Sequence, residues 1–311
     1  MGEIRMQSRY FIIGNVICKL FDYNNIDIKK MLGINMAFGA YDYEIYIKPI
    51  EDVFSSIPDV YKKINNPYQG ISGNDYYTVY RNYGLVAITR GNSGFIEIGL
   101  KENVISAKSY YLIRSVIIKH ICRLVFKTLV PLHAACISGY DGRLILFVGK
   151  SGAGKSTLTR YFLSLGCSFI NDDVVALDVE ESIIFGFSEG TYIRPESVDF
   201  YLKQGIAITY EEVSPGRKLF IDNKDKKICS GKPSCIVLLD SEYNQNFTIM
   251  HCEDEIRRKF MDSHMDWCKS SFEKKRMLEA INHLSTNCLV VFASLNNIDD
   301  LIDFIKMKGY M

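Results

Sequence analysis

The chain carries almost no net charge: 37 basic residues against 36 acidic ones leave +1 over 311 residues. That balance excludes a global field drawing it to nucleic acid or to an anionic membrane surface, so neither is an expected partner. A CxxC pair is also missing. The nine cysteines are scattered and odd in number, which excludes a disulfide framework or a zinc site and suits buried or free thiols in a reducing compartment. A cytoplasmic location is therefore expected. Long apolar runs are lacking as well. The opening MGEIRMQSRYFIIGNVICKLF is interrupted by Asn15 and Lys19, unlike a secretory signal. The apolar stretch 121–137 is broken by Arg123, Lys127 and His133, so no membrane span is expected. Neither an internal repeat nor a low-complexity tract occurs.

What is present is a globular composition, 48% hydrophobic and 23% charged, in a chain long enough for two domains. Residues 1–107 read as a small, mostly β module. Short runs rich in aromatic and β-branched residues (43–48, 76–81, 84–89, 95–100) alternate with turn chemistry such as NPYQGISGND and RGNSG. From 109 to 130 the spacing becomes helical, with Leu112, Val116, Ile117, Ile121 and Leu124 on one face and Pro131 as the stop. The domain boundary is placed ahead of this helix, giving a second domain over 108–311 in which strands alternate with helices. The fold class expected is α/β.

The second domain opens with a motif. RLILFV (143–148) suits a buried strand, and Gly149, Lys150, Ser151, Gly152, Ala153, Gly154, Lys155 and Ser156 match G-x-x-x-x-G-K-[ST] without a gap. Thr157 follows, and Leu158, Tyr161, Phe162 and Leu165 give a helical face closed by Gly166. Glycines let the backbone curl so that successive N–H groups face one concavity, to which the helix N-terminus adds partial positive charge. Lys155 supplies a point charge for β- and γ-phosphates and Ser156 a hydroxyl for Mg²⁺. The expected cofactors are ATP and Mg²⁺.

Beyond the loop helix, a short strand CSFI (167–170) runs into Asn171, Asp172 and Asp173 before a second apolar run. A strand running alongside the loop strand would bring both acids to the phosphates. One could then ligate Mg²⁺ and the other accept a proton from an attacking hydroxyl. Asp240, ending CIVLLD, competes for the metal post, and pattern alone does not separate it from the pair.

The stretch from Leu132 to Val175 resembles the HPr serine kinase/phosphorylase family and its shorter relatives that phosphorylate serine in proteins or precursor peptides. The resemblance rests on a histidine ahead of the loop, the loop form G-x-S-G-x-G-K-S and the paired aspartate one helix and strand later. It implies a P-loop kinase domain of that family's C-terminal type, preceded here by the β module, which would help hold the acceptor. It also implies Asp172 as base for the acceptor hydroxyl, Asp173 as metal-side acid with Ser156, and His133 as a site histidine. Arg194, Arg217 and Lys218 lie where relatives turn basic residues toward the transferring phosphate. Members of the family form hexamers, so a homo-oligomer falls within what the resemblance implies. Lys150 stands where phosphorylase-competent members are often acidic, and Thr157 replaces a common glutamate, so the reverse reaction is not expected. The function expected is ATP-dependent phosphorylation of a serine hydroxyl in a peptide or protein. The alternatives are a small-molecule kinase acting on free serine and a nucleotide-gated binding module.

The last third reads as helical over 254–284, then as strand CLVVFAS and helix IDDLIDFIKM. His251, His264 and His283 lack metal-ligand spacing and receive no chemistry. NKDK (223–226) only approaches the guanine-reading N-K-x-D, and no LSGGQ occurs, which argues against a GTPase switch and a transporter ATPase.

Overall fold

The computed structural model describes residues 7–13, 16–22, 42–62, 68–91, 93–101, 107–186, 190–203, 205–206, 208–214, 218–223, 228–240, 248–250, 253–264, 267–295 and 298–310. The chain forms two compact units, one of residues 1–127 with 213–216 and one of 128–212 with 217–311.

In the first unit, strands β1 (Gln7–Ile13), β2 (Val16–Asp22), β3 (Tyr43–Pro49), β4 (Tyr68–Ser72), β5 (Asp75–Tyr80), β6 (Leu85–Arg90) and β7 (Phe95–Leu100) form one sheet in the order β1-β2-β3-β7-β6-β5-β4. The pairs β2–β3 and β3–β7 are parallel and the rest antiparallel. Helix α1 (Ile50–Ser55) presses Val53 onto Tyr77, Val79, Val86 and Ile88, and a short helix α2 (Asp59–Lys62) follows. Gly99 admits this packing, because a Cβ there would stand 2.7 Å from Val86 and 3.0 Å from the α1 backbone. Helix α3 (Ala107–Val125) packs on β5, β6 and β7, which draws it into the first unit, whereas the sequence reading set the boundary ahead of it. The helix also ends at Val125, six positions before Pro131, and Val130–Leu132 form strand β8 instead.

The second unit is a mixed α/β structure with several sheets. Its main sheet contains β9 (Ala134–Ser138), β10 (Leu144–Gly149), β11 (Ser168–Asn171), β18 (Pro233–Leu239), β19 (Thr248–Ile249) and β20 (Leu289–Ala293), in the order β11-β9-β10-β18-β20-β19. Strands β10, β18 and β20 are parallel, and β9 is antiparallel to both β10 and β11. A second sheet orders β17-β13-β12-β8, from β12 (Val175–Asp178), β13 (Ile183–Gly186) and β17 (Ser230–Gly231). Strand β14 (Gly190–Ile193) pairs with β16 (Lys218–Asp222), helix α5 (Ser197–Lys203) follows β14, and β15 (Glu211–Ser214) precedes β16.

Every residue of β10 is buried, as its unbroken apolar run requires of a strand covered on both faces. Successive side chains alternate between faces. Ile145 and Phe147 meet Leu158, Phe162 and Leu163 of the loop helix α4 (Lys155–Ser164), together with Leu301, Ile302 and Ile305 of α8 (Ile298–Met307). Helix α6 (Glu253–His264) also packs against β10. Each such fully buried Leu, Ile or Phe side chain contributes about 1.5–3 kcal/mol, so the loop helix is anchored by its own core. The long helical stretch expected over 254–284 is in fact two helices. Ser270 caps α7 (Ser271–Asn287) by accepting from the Glu273 N–H, and the Glu273 side chain accepts from the Ser270 N–H. No helix among the described residues is long and apolar enough to cross a membrane.

Candidate active site

The glycine-rich loop leaves β10 at its carboxyl end and enters α4 at Lys155. Gly152 and Gly154 sit at φ +90° and +102°, the left-handed region that side chains disfavour and that turns consecutive N–H groups to one side. At Gly149 a Cβ would stand 2.6 Å from the Leu239 carbonyl of the neighbouring strand. Lys155 is buried, and its ammonium donates to the carbonyls of Gly149 at 2.6 Å and Lys150 at 3.1 Å. Its charge is thereby held at the loop itself. Lys150 and Ser151 are exposed.

Two chain crossings converge beside the loop. The chain passes from β8 in the second sheet to β9 in the main sheet at His133, and from β11 back to β12 at Asn171–Val174. Because β8 pairs with β12 and β9 with β11, the two crossings lie side by side. The antiparallel sense of β9 puts its first residues next to the last residues of β10, where the loop begins, with Val148 opposite Ala134. The expected strand after the loop helix does not run alongside the loop strand; β9 stands between them. The acids still arrive at the loop, since β11 turns at that same edge.

Ser156 Oγ donates to Asp172 Oδ1 at 3.0 Å, and Asp172 is only 2% exposed. The Asn171 side chain donates to the Val174 carbonyl and closes the turn. Asp173 has φ +82°, one of two non-glycine residues in the left-handed region among the described residues. Aspartate tolerates that conformation better than most, and such strain gathers at functional sites. Its side chain is 34% exposed, and Oδ1 lies 3.5 Å from His133 Nε2. The Ser156 hydroxyl is thus paired with Asp172, while Asp173 faces His133 and solvent; the resemblance implies Asp173 as the acid that joins Ser156.

His133 is held by residues to which the sequence assigned no chemistry. Its backbone N–H donates to His264 Nε2 at 2.8 Å, and its ring stacks on Trp267 at 5.4 Å and 24°. A ring whose Nε2 accepts must carry its proton on Nδ1, which meets the Phe260 carbonyl at 2.8 Å. Burial, with the charges of His133 and Lys155 nearby, pushes His264 down to about 3, so it stays neutral. The Phe260 carbonyl opposes that shift. The visible signal for this pair was the final turn of α6, where an apolar 3.6-residue period carries a histidine on its buried face.

Arg194 is exposed, with a guanidinium nitrogen 3.9 Å from where a Cβ on Gly152 would stand, at the loop. Arg217 lies outside the described residues, as does the side chain of Lys218. Ala153 packs beneath the loop, and the Thr157 side chain interacts with the phenol of Tyr201. Asp240, the competing acid, follows β18 on the other flank of β10 from Asp172. Its carboxylate is 3.9 Å from Lys259, in a cavity bounded by Lys150, Ser151, Asp262 and Ser263.

The oxygen set suits Mg²⁺. Two adjacent ligands in an octahedron with bonds of about 2.0–2.1 Å lie about 3 Å apart, and the Ser156 and Asp172 oxygens are 3.0 Å apart. No group of three or more histidine, cysteine or acidic side chains poised for a metal occurs among the described residues. Mg²⁺ is commonly held by one or two carboxylates and substrate phosphates, so two protein oxygens are sufficient.

No family model matches the chain, and no curated protein does. Among solved structures it is similar to the Hpr(Ser) kinase/phosphatase from Coxiella burnetii, at 14% identity over 58% of this chain and 99% of that one, with a TM-score of 0.30, a distant structural relationship.

Proposed function

We propose that the chain is an ATP-dependent, Mg²⁺-requiring kinase that phosphorylates a serine hydroxyl in a peptide or protein. The observation that carries this reading is the single turn holding Asp172 against the Ser156 hydroxyl at 3.0 Å and Asp173 beside His133 at 3.5 Å. It supplies a metal side and a proton-accepting side next to one phosphate-binding motif.

In this reading the loop N–H groups and Lys155 bind and orient the β- and γ-phosphates. Ser156 and Asp172 would hold Mg²⁺, which would neutralise charge on the phosphate oxygens. Asp173, more exposed than Asp172, receives the proton of the acceptor hydroxyl. The acceptor oxygen forms its bond to the γ-phosphorus as the bond to the ADP oxygen breaks. His133, fixed by His264 and Trp267, orients the Asp173 carboxylate, and Arg194 draws charge from the transferring phosphoryl group. Catalysis is then alignment and charge stabilisation.

Purified protein given γ-labelled ATP, Mg²⁺ and serine-containing peptides should transfer label. Asp173→Asn should lower turnover by about 10²- to 10⁴-fold, the range for loss of a general base, with nucleotide affinity retained. ATP hydrolysis without any acceptor, with Asp240→Asn as the damaging change, would overturn the reading in favour of a nucleotide-gated module.

A further inference from the structure

Tyr201 is fully buried, one of the largest side chains with no exposure, in a cluster with Ile193, Ile206, Leu219 and Ile221. A phenol in such a place is costly unless its hydroxyl is bonded, and a phenylalanine would fill nearly the same volume without that cost. The hydroxyl donates to the Ser156 carbonyl at 3.3 Å and meets the Thr157 side chain. These two residues open α4 on the side where Ser156 Oγ faces Asp172. The same small layer grips α4 farther along, where Arg160 donates to Asn223 Oδ1 at 3.4 Å and Asn223 donates to Thr191 Oγ1 at 2.7 Å. Phe200, beside Tyr201, lies against Tyr161 of α4 with ring centroids 6.4 Å apart.

We propose that Tyr201 is a positioning residue for the metal side of the site: its hydroxyl fixes the first turn of α4 so that the Ser156 hydroxyl and the Asp172 carboxylate present adjacent oxygens to Mg²⁺. It touches neither nucleotide nor acceptor, and acts through the backbone of Ser156 and the side chain of Thr157. The layer formed by β14, α5 and β16 is then a brace for the loop helix, and the Mg²⁺ requirement of nucleotide binding depends on it. The inference rests on the nucleotide-binding part of the proposed function, and concerns a residue that neither the loop motif nor the paired aspartates would single out.

The test is a fluorescent ATP analogue titrated onto the full chain at rising Mg²⁺ and again in EDTA. Tyr201→Phe keeps the ring and removes the hydroxyl. It should raise the Mg²⁺ concentration at half-maximal binding by about 3- to 10-fold, the size of one or two lost hydrogen bonds, and leave affinity in EDTA within about twofold. Asp172→Asn should shift the Mg²⁺ midpoint in the same direction and further. Thr157→Val, which removes the other hydroxyl of the contact, should reproduce the shift and serves if Tyr201→Phe fails to fold. A Phe variant that melts earlier but has an unchanged Mg²⁺ midpoint would overturn the proposal, leaving Tyr201 a packing residue. A wild-type chain that binds the analogue with no Mg²⁺ dependence would overturn the metal-side assignment of Ser156 and Asp172, and the role of Tyr201 with it.

Discussion

His120 in the first unit and His264 in the second are both fully buried, and burial lowers both to about 3. Neighbouring basic groups reinforce the shift, Arg123 and Lys119 around His120, and His133 and Lys155 around His264. The difference lies in their partners. His120 meets Thr89 Oγ1 at 2.7 Å and Thr78 Oγ1 at 2.9 Å, so it ties α3 to two strands of its own sheet and ends there. His264 accepts the backbone N–H of His133, so the same kind of interaction reaches a side chain at the loop. A buried neutral histidine is a rigid polar bolt in either place. Its consequence for chemistry depends only on what the second partner is attached to.

This comparison can be broken most severely at the loop. Lys155→Ala should lower phosphoryl transfer by about 10²- to 10³-fold, as loss of one preorganised charge does, with little change in thermal stability. His120→Leu in the first unit should leave turnover of the folded protein unchanged, as a radiolabel transfer assay would show. Comparable losses from both substitutions would end the distinction between the two units.

The paired histidine substitutions sharpen it. His264→Leu and His120→Leu should each destabilise by about 1–3 kcal/mol, since each strands buried partners, read from urea unfolding. Only His264→Leu should also lower turnover and alter its pH profile, because it releases His133 beside Asp173. Identical pH profiles for the wild type and His264→Leu would show that His133 needs no such support.

The smallest effect is acid sensitivity. Each folded histidine titrates near 3 and its unfolded counterpart near 6.5. Between these values the unfolded chain binds more protons, so stability falls as pH drops below 6.5, by about 1.4 kcal/mol per pH unit for each histidine. Urea midpoints at pH 7.5, 6.5 and 5.5 should decline only below 6.5, and His120→Leu should flatten the slope of its own unit. A midpoint that stays level between 6.5 and 5.5 would contradict the buried neutral state.

Local pattern made four strands of the first unit legible, and Tyr43–Pro49, Asp75–Tyr80, Leu85–Arg90 and Phe95–Leu100 lie within a residue of where alternation puts them; Tyr68–Ser72, read as turn chemistry for its Gly and Ser, is strand β4 because it pairs with β5. The loop, its strand, its helix and the final helix Ile298–Met307 were equally legible, since each is a short-range period. The helix over 107–125 was overextended because apolar spacing continues through Leu129 and Val130, which pair as sheet or bury as turn instead. The S-x-x-E capping signature at Ser270 marks the split, but the apolar period alone runs through it. Metal spacing says nothing of the role of His264, whose partner lies 131 positions away.

By itself, the sequence determined the class of structure, mixed α/β, and the local geometry of the loop, because glycine at positive φ and an apolar strand and helix on either side are properties of neighbouring residues. Only the tertiary structure decided which aspartate meets Ser156, which meets His133, and that Asp240 stands on the other flank. Those outcomes follow from β9 running antiparallel between β10 and β11 and from two sheet crossings placed side by side. Strand order and sense depend on pairing between distant segments, and no local period encodes them.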